Sequence, residues 1–116
     1  EKWHFPSDHL PIGIRIVSCN GADASICAGS WNVLNKHFVK RIIKEGLNGS
    51  KITTWNEQER QKEIVDGVIG MLMHDMCPKH LLCLQGCWPQ LLEMLRTRLP
   101  PDQFAMLQTD DKQDQE

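Results

Sequence analysis

The chain has 116 residues, 41% of them apolar and 24% charged, with a formal net charge of -2. That length carries one domain with a modest core, and the composition is too apolar for a disordered chain. A nearly balanced charge provides no field over the whole molecule to attract nucleic acid, so any anion site must be local. No apolar run approaches the roughly 20 residues that span a bilayer, so no membrane association is expected.

The N-terminus lacks the basic-then-apolar order of a signal peptide. The five cysteines, Cys19, Cys27, Cys77, Cys83 and Cys87, are odd in number and form no dense framework. Together these features predict reduced thiols in an intracellular, reducing compartment.

Residues 1–11 contain Pro6 and Pro11, which exclude a helix and predict an extended lead-in. Ile12, Ile14 and Ile16 alternate with Gly13, Arg15 and Val17, the period of a strand. Asn20-Gly21-Ala22-Asp23 signals a turn, and Ile26 to Leu34 reads as a second strand, either hairpin partner or neighbour of the first. Phe38, Val39, Ile42 and Ile43 predict a short helix with Lys36, Lys40, Arg41 and Lys44 outside, ended by Gly46.

Thr54 and Glu57 have capping-box spacing, and a long helix follows from about Asn56 to Met76. Ile64, Val65, Val68, Ile69, Leu72 and Met76 form its buried stripe. His80 to Gln85 reads as a buried strand. Pro89 suits the first turn of a further helix, with Leu91, Leu92, Leu95 and Leu99 on its apolar face. Phe104 to Leu107 reads as a last strand, and 110–116 as a polar tail. The order β-β-α-α-β-α-β defines a single α/β layered domain over residues 1–109.

Three clusters could carry chemistry. His74, Cys77, His80, Cys83 and Cys87 are soft metal ligands close in sequence, but their spacing matches no usual zinc pattern and crosses a helix end, a proline and a strand. Buried free cysteines are the favoured account. Neither Cys83 nor Cys87 is singled out as a nucleophile. Lys36, Lys40, Arg41 and Lys44 could contact phosphates, although a solvated helix face explains them more simply. Asp8 and His9 adjoin, as a base and its orienting carboxylate do, although taken alone an ordinary polar turn explains the pair more simply.

Ser7-Asp8-His9-Leu10-Pro11, Ser30-Trp31-Asn32-Val33-Leu34-Asn35 and Leu82-Cys83-Leu84-Gln85-Gly86 together resemble the motifs of the endonuclease/exonuclease/phosphatase superfamily of Mg-dependent phosphodiesterases. The resemblance covers most of the chain. It implies about half of that layered α/β sandwich, a mixed sheet with helices on one face. It also implies catalytic roles for Asp8, His9 and Asn32: His9 at the scissile phosphate, oriented by Asp8, with the Asn32 amide beside them. In such chemistry a hard divalent ion on a carboxylate neutralises charge growing on the phosphoryl oxygens, and the amide and imidazole donate hydrogen bonds.

Two departures follow from the same comparison. The Ser-Asp-His segment, terminal in the family, comes first here, as in a circular permutation that moves the last strand in front of its spatial neighbour or in the tail of one repeat followed by the head of another. The metal-binding Glu expected after Leu84-Gln85 is Gly86, and the family's second half has no counterpart. The chain is therefore expected to be a degenerate, non-catalytic structural or assembly subunit with no cofactor of its own, although an intact relative would use Mg. The alternative is a fragment of an active nuclease or phosphatase, acting on nucleic acid or another phosphoester, whose second half lies elsewhere. Half a sandwich leaves one apolar sheet face open, which implies another protein chain or a complementary half-domain as partner.

Overall fold

The structure is a computed structural model. It describes Ser7 and residues 9–18, 21–45, 56–73 and 79–109, without the side chains of 18, 21–24 and 42–45. Asp8, His74, Cys77, Thr54 and the 110–116 tail lie outside the described residues.

The elements are β1 (Ile12–Ser18), β2 (Gly21–Asn32), α1 (Lys36–Glu45), α2 (Glu57–Leu72), β3 (Lys79–Gln85) and α3 (Pro89–Arg98). They make a three-stranded mixed sheet in the order β1-β2-β3. β1 and β2 are antiparallel, with Ile12 opposite Ser30 and Ile16 opposite Ile26. β3 runs parallel to β2, from Lys79 beside Ile26 to Gln85 beside Asn32. The two first strands are thus a hairpin, and the strand after the Asp8-His9 segment is the neighbour of the strand ending at Asn32.

The strand period sorts the sheet into two unlike faces. Gly29 and Trp31 share one face with their neighbours Leu82 and Leu84. On this face lies the core: Trp31, Val33, Ile64, Val65, Val68, Trp88, Leu91 and Leu95 are buried together, with Leu82 and Leu84 packed against them. α2 and α3 therefore cover the same side of the sheet. Gly67 is where α2 comes close to it, since a Cβ there would stand 3.4 Å from the Trp31 ring. Arg98, the last residue of α3, donates to Asp66 within α2 at 2.8 Å, tying α3 to α2 in an exposed pair worth ~1 kcal/mol or less.

The opposite face is open. Ile12, Ile14 and Ile16 are 74%, 62% and 55% exposed, and Leu81 is 61% exposed.

Several expectations need correction. β2 begins at Gly21, inside the predicted turn, and ends at Asn32. Val33 and Leu34 leave the sheet, and Leu34 takes a left-handed conformation with φ 59°. The cap of α2 is Asn56, whose side chain accepts from the Glu59 N–H at 3.1 Å; the helix ends at Leu72 with Met73 as its C-cap, and Met76 lies outside the described residues. β3 is not buried on both faces but alternates, with Lys79, Leu81, Cys83 and Gln85 exposed, because helices cover only one side. No strand forms at 104–107. The Phe104 N–H instead bonds the Pro100 carbonyl at 3.0 Å, and Met106 packs directly on the core. Among the cysteines, Cys27 is disulfide-bonded, contrary to the expected set of reduced thiols. Cys83 is free but exposed, and Cys87 is free and half-buried.

Candidate functional site

β2 and β3 are parallel, so their carboxyl ends meet at one edge, where α/β sheets commonly bind ligands. Asn32 and Gln85 are register neighbours there. The chain continues from each strand into a tight segment, 33–35 and 86–88, before the next helix. The Ser7–His9 segment joins the same edge from the β1 side.

Hydrogen bonds connect all three. Ser7 is buried, and its Oγ donates to the Asn32 carbonyl at 2.7 Å. The same Oγ accepts from the His9 N–H at 3.1 Å. The Trp31 indole Nε1–H donates to the His9 carbonyl at 2.9 Å. The Val33 N–H donates to the Gln85 carbonyl at 2.9 Å, extending the parallel pairing by one bond. Ser30 Oγ donates to Gln85 Oε1 at 3.2 Å on the open face.

Asn32 and Asn35 hold the turn between β2 and α1. Asn32 Oδ1 accepts from the Leu34 N–H at 3.0 Å. Asn35 Oδ1 accepts from the His37 N–H at 3.1 Å, the bond of a helix-capping side chain. Asn35 Nδ2 reaches across to the Cys87 carbonyl at 3.4 Å. Both carboxamides therefore serve the backbone.

Arg60, on α2, completes the clamp from beneath. It is 3% exposed. Nη1 donates to the Val33 carbonyl at 3.0 Å and Nη2 to the Leu34 carbonyl at 2.9 Å. Its charge is met by Glu57, at 3.2 Å from both Nε and Nη2. The guanidinium also lies 5.0 Å from the centre of the Trp88 ring, within cation–π range. Trp88 in turn donates from Nε1 to Gln61 Oε1 at 3.0 Å. An arginine held this way fixes the left-handed Leu34, a conformation that persists only when surroundings over-determine it.

Gly86 is where the site departs furthest from a metal centre. Its φ is +74°, a region L side chains rarely adopt. A Cβ there would stand 3.0 Å from Asn32 Oδ1, 3.2 Å from the Asn35 N and 3.4 Å from the Leu34 N. All three atoms belong to the pinned turn. A hard divalent ion requires oxygen ligands, carboxylates above all. The described residues at this edge, Ser7, His9, Asn32, Gln85 and Gly86, contribute no carboxylate, and the Asn32 amide oxygen is engaged by backbone. They do not fit Mg. Glu93, one segment on, pairs instead with Arg96 at 3.5 Å on the exposed side of α3.

The structure thus brings the His9 backbone, Asn32 and the Gln85-Gly86 segment to one edge of the sheet, while Asp8 lies outside the described residues. Arg60 was not singled out in the sequence, yet it stands four residues before Ile64 and eight before Val68, in line with the buried stripe. A charged residue at a stripe position is the signal that could have found it. Of the basic residues of α1, Lys40 and Arg41 are exposed on the helix surface and Lys36 is partly so, with the Lys44 side chain outside the described set; Phe38 beside them is exposed too.

Burial pushes the Cys87 thiol up from 9.0 to about 11. Below pH 9 both folded and unfolded chains keep this proton. As pH rises further the unfolded chain loses it first, so stability falls until the folded thiol ionises near pH 11. Chemical denaturation at successive pH values should show this loss in the wild type and a flatter profile in Cys87→Ala over the same window.

No protein-family model, no curated protein and no solved structure matches this chain. Its function is therefore argued from the residues and the geometry above.

Proposed function

We propose that the chain is a degenerate, non-catalytic derivative of an endonuclease/exonuclease/phosphatase-like half-domain, retained as a structural or assembly subunit. The convergence of the Ser7–His9, Trp31-Asn32 and Gln85-Gly86 segments on the carboxyl ends of two parallel strands supports the origin. One observation carries the loss of catalysis. Gly86 stands where the metal-binding Glu is expected, in a left-handed conformation that side chains rarely adopt and with space in which a Cβ would crowd Asn32 and Asn35. A simple lost ligand would leave a vacancy that a carboxylate could refill. Here a Cβ would stand within 3.4 Å of the turn after β2, and Asn32 Oδ1 and both ends of the Asn35 amide bond the backbone.

The test is hydrolysis of a simple phosphodiester by the purified chain in Mg and in Mn. No turnover above the blank is expected, and His9→Ala should match the wild type. Metal-dependent hydrolysis that disappears in His9→Ala would overturn the proposal and favour the alternative, a fragment of an active phosphodiesterase completed by a second half.

A further inference from the structure

The largest feature the site leaves unused is the open face of the sheet. Ile12, Ile14 and Ile16 of β1 lie beside Ile26 of β2, with Leu81 and Cys83 of β3 on the same face. The aliphatic members are between 37% and 74% exposed. Side chains exposed to this degree present on the order of 500 Å² of contiguous apolar surface, at the upper end of what a monomer tolerates. With Ala28, Ser30 and Gln85 around them, the face approaches the ~800 Å² per partner of a stable interface.

We infer that this face joins two copies of the chain, sheet against sheet, in a symmetric dimer. The area is one ground and charge is the other. Lys79, at one corner, is the only charge among the described side chains of the face. A distinct partner is ordinarily selected by complementary charge, and this face offers almost none. Rows of isoleucine meeting themselves about a two-fold axis need none. An axis running across the strands sets each Lys79 over the uncharged Asn32–Gln85 end of the other copy, so no like charges meet. Aligned sheets of this kind pack about 10 Å apart with interdigitated side chains. The inference rests on burial and charge, and deepens the assembly reading by naming the partner.

The experiment combines sedimentation velocity with thiol labelling. The wild type should be a dimer at high micromolar concentration, and Ile14→Lys should weaken association about a hundredfold, as loss of a central interface anchor does. Cys83, exposed in the single chain and covered in the dimer, should react with a maleimide more slowly as protein concentration rises, as read by peptide mass. That dependence should vanish in Ile14→Lys. Circular dichroism checks the variant, and the wild-type concentration series stands alone if it misfolds. A monomer at every concentration, with Cys83 labelled at one rate throughout, overturns the dimer, whether the face then binds ANS or is covered by another chain. A catalytically silent monomer would remove only the dimer; an active dimer would remove only the non-catalytic reading.

Discussion

Gly86→Glu lowers the stability of the chain by about 2–5 kcal/mol and adds no Mg affinity. A non-glycine residue in the left-handed region costs ~1–2 kcal/mol, and forcing a side chain into filled space adds ~1–3 kcal/mol. Both terms apply at Gly86, whose φ is +74° and whose Cβ would crowd Asn32 Oδ1 at 3.0 Å. Asn32 cannot move aside without giving up its bond to the Leu34 N–H, and the Asn35 N at 3.2 Å is backbone. Gly86→Ala separates the two parts: it retains the backbone and Cβ penalties and lacks the carboxylate. Denaturant melts of both variants should show most of the loss already in the alanine form. Isothermal titration should show wild type and Gly86→Glu equally indifferent to Mg. A stable Gly86→Glu that binds Mg would mean the pocket survives and only its ligand was lost.

Arg60→Met should cost about 3–5 kcal/mol, in the range for breaking a buried charge pair. The guanidinium satisfies the Val33 and Leu34 carbonyls, neutralises Glu57 and stacks on Trp88. Removing it leaves buried acceptors unpaired and breaks the ion pair with Glu57. It also frees Leu34 from the conformation that sets the turn after β2. Arg60→Lys keeps the charge but not the fork that spans two carbonyls, and should recover only part of the loss. The double variant Arg60→Met with Glu57→Gln should be less destabilised than the sum of the singles, because both singles break the same ion pair. Full additivity would mean that the pair is not coupled.

Much of the fold is legible in the sequence. The alternating isoleucines predict β1, Pro89 marks the start of α3, and the stripe through Ile64, Val65 and Val68 predicts the buried side of α2. The three motif segments are far apart in the chain, yet their convergence follows once β1 is antiparallel and β3 parallel to β2.

What the sequence does not reveal depends on tertiary partners. Phe104 to Leu107 has the composition of a strand, but a strand needs an edge to pair with. Here the turn after Pro100 and the packing of Met106 hold the segment instead. Apolar β3 reads as buried on both faces, because nothing in seven residues says that helices cover only one. Arg60 looks like any solvated arginine until its bonds to two carbonyls are seen. The disulfide at Cys27 is equally invisible, since spacing alone does not choose among five cysteines.

The account turns on whether the Asn32–Gly86 edge is a closed structural clamp or a metal site. Amide NMR during a Mg titration reads this directly. The backbone amides of Asn32, Leu34 and Gly86 should hold their positions into the millimolar range, with any change small, non-saturating and spread over exposed acidic residues. Saturable shifts centred on Gly86 and Asn32, reversed by a chelator, would contradict it.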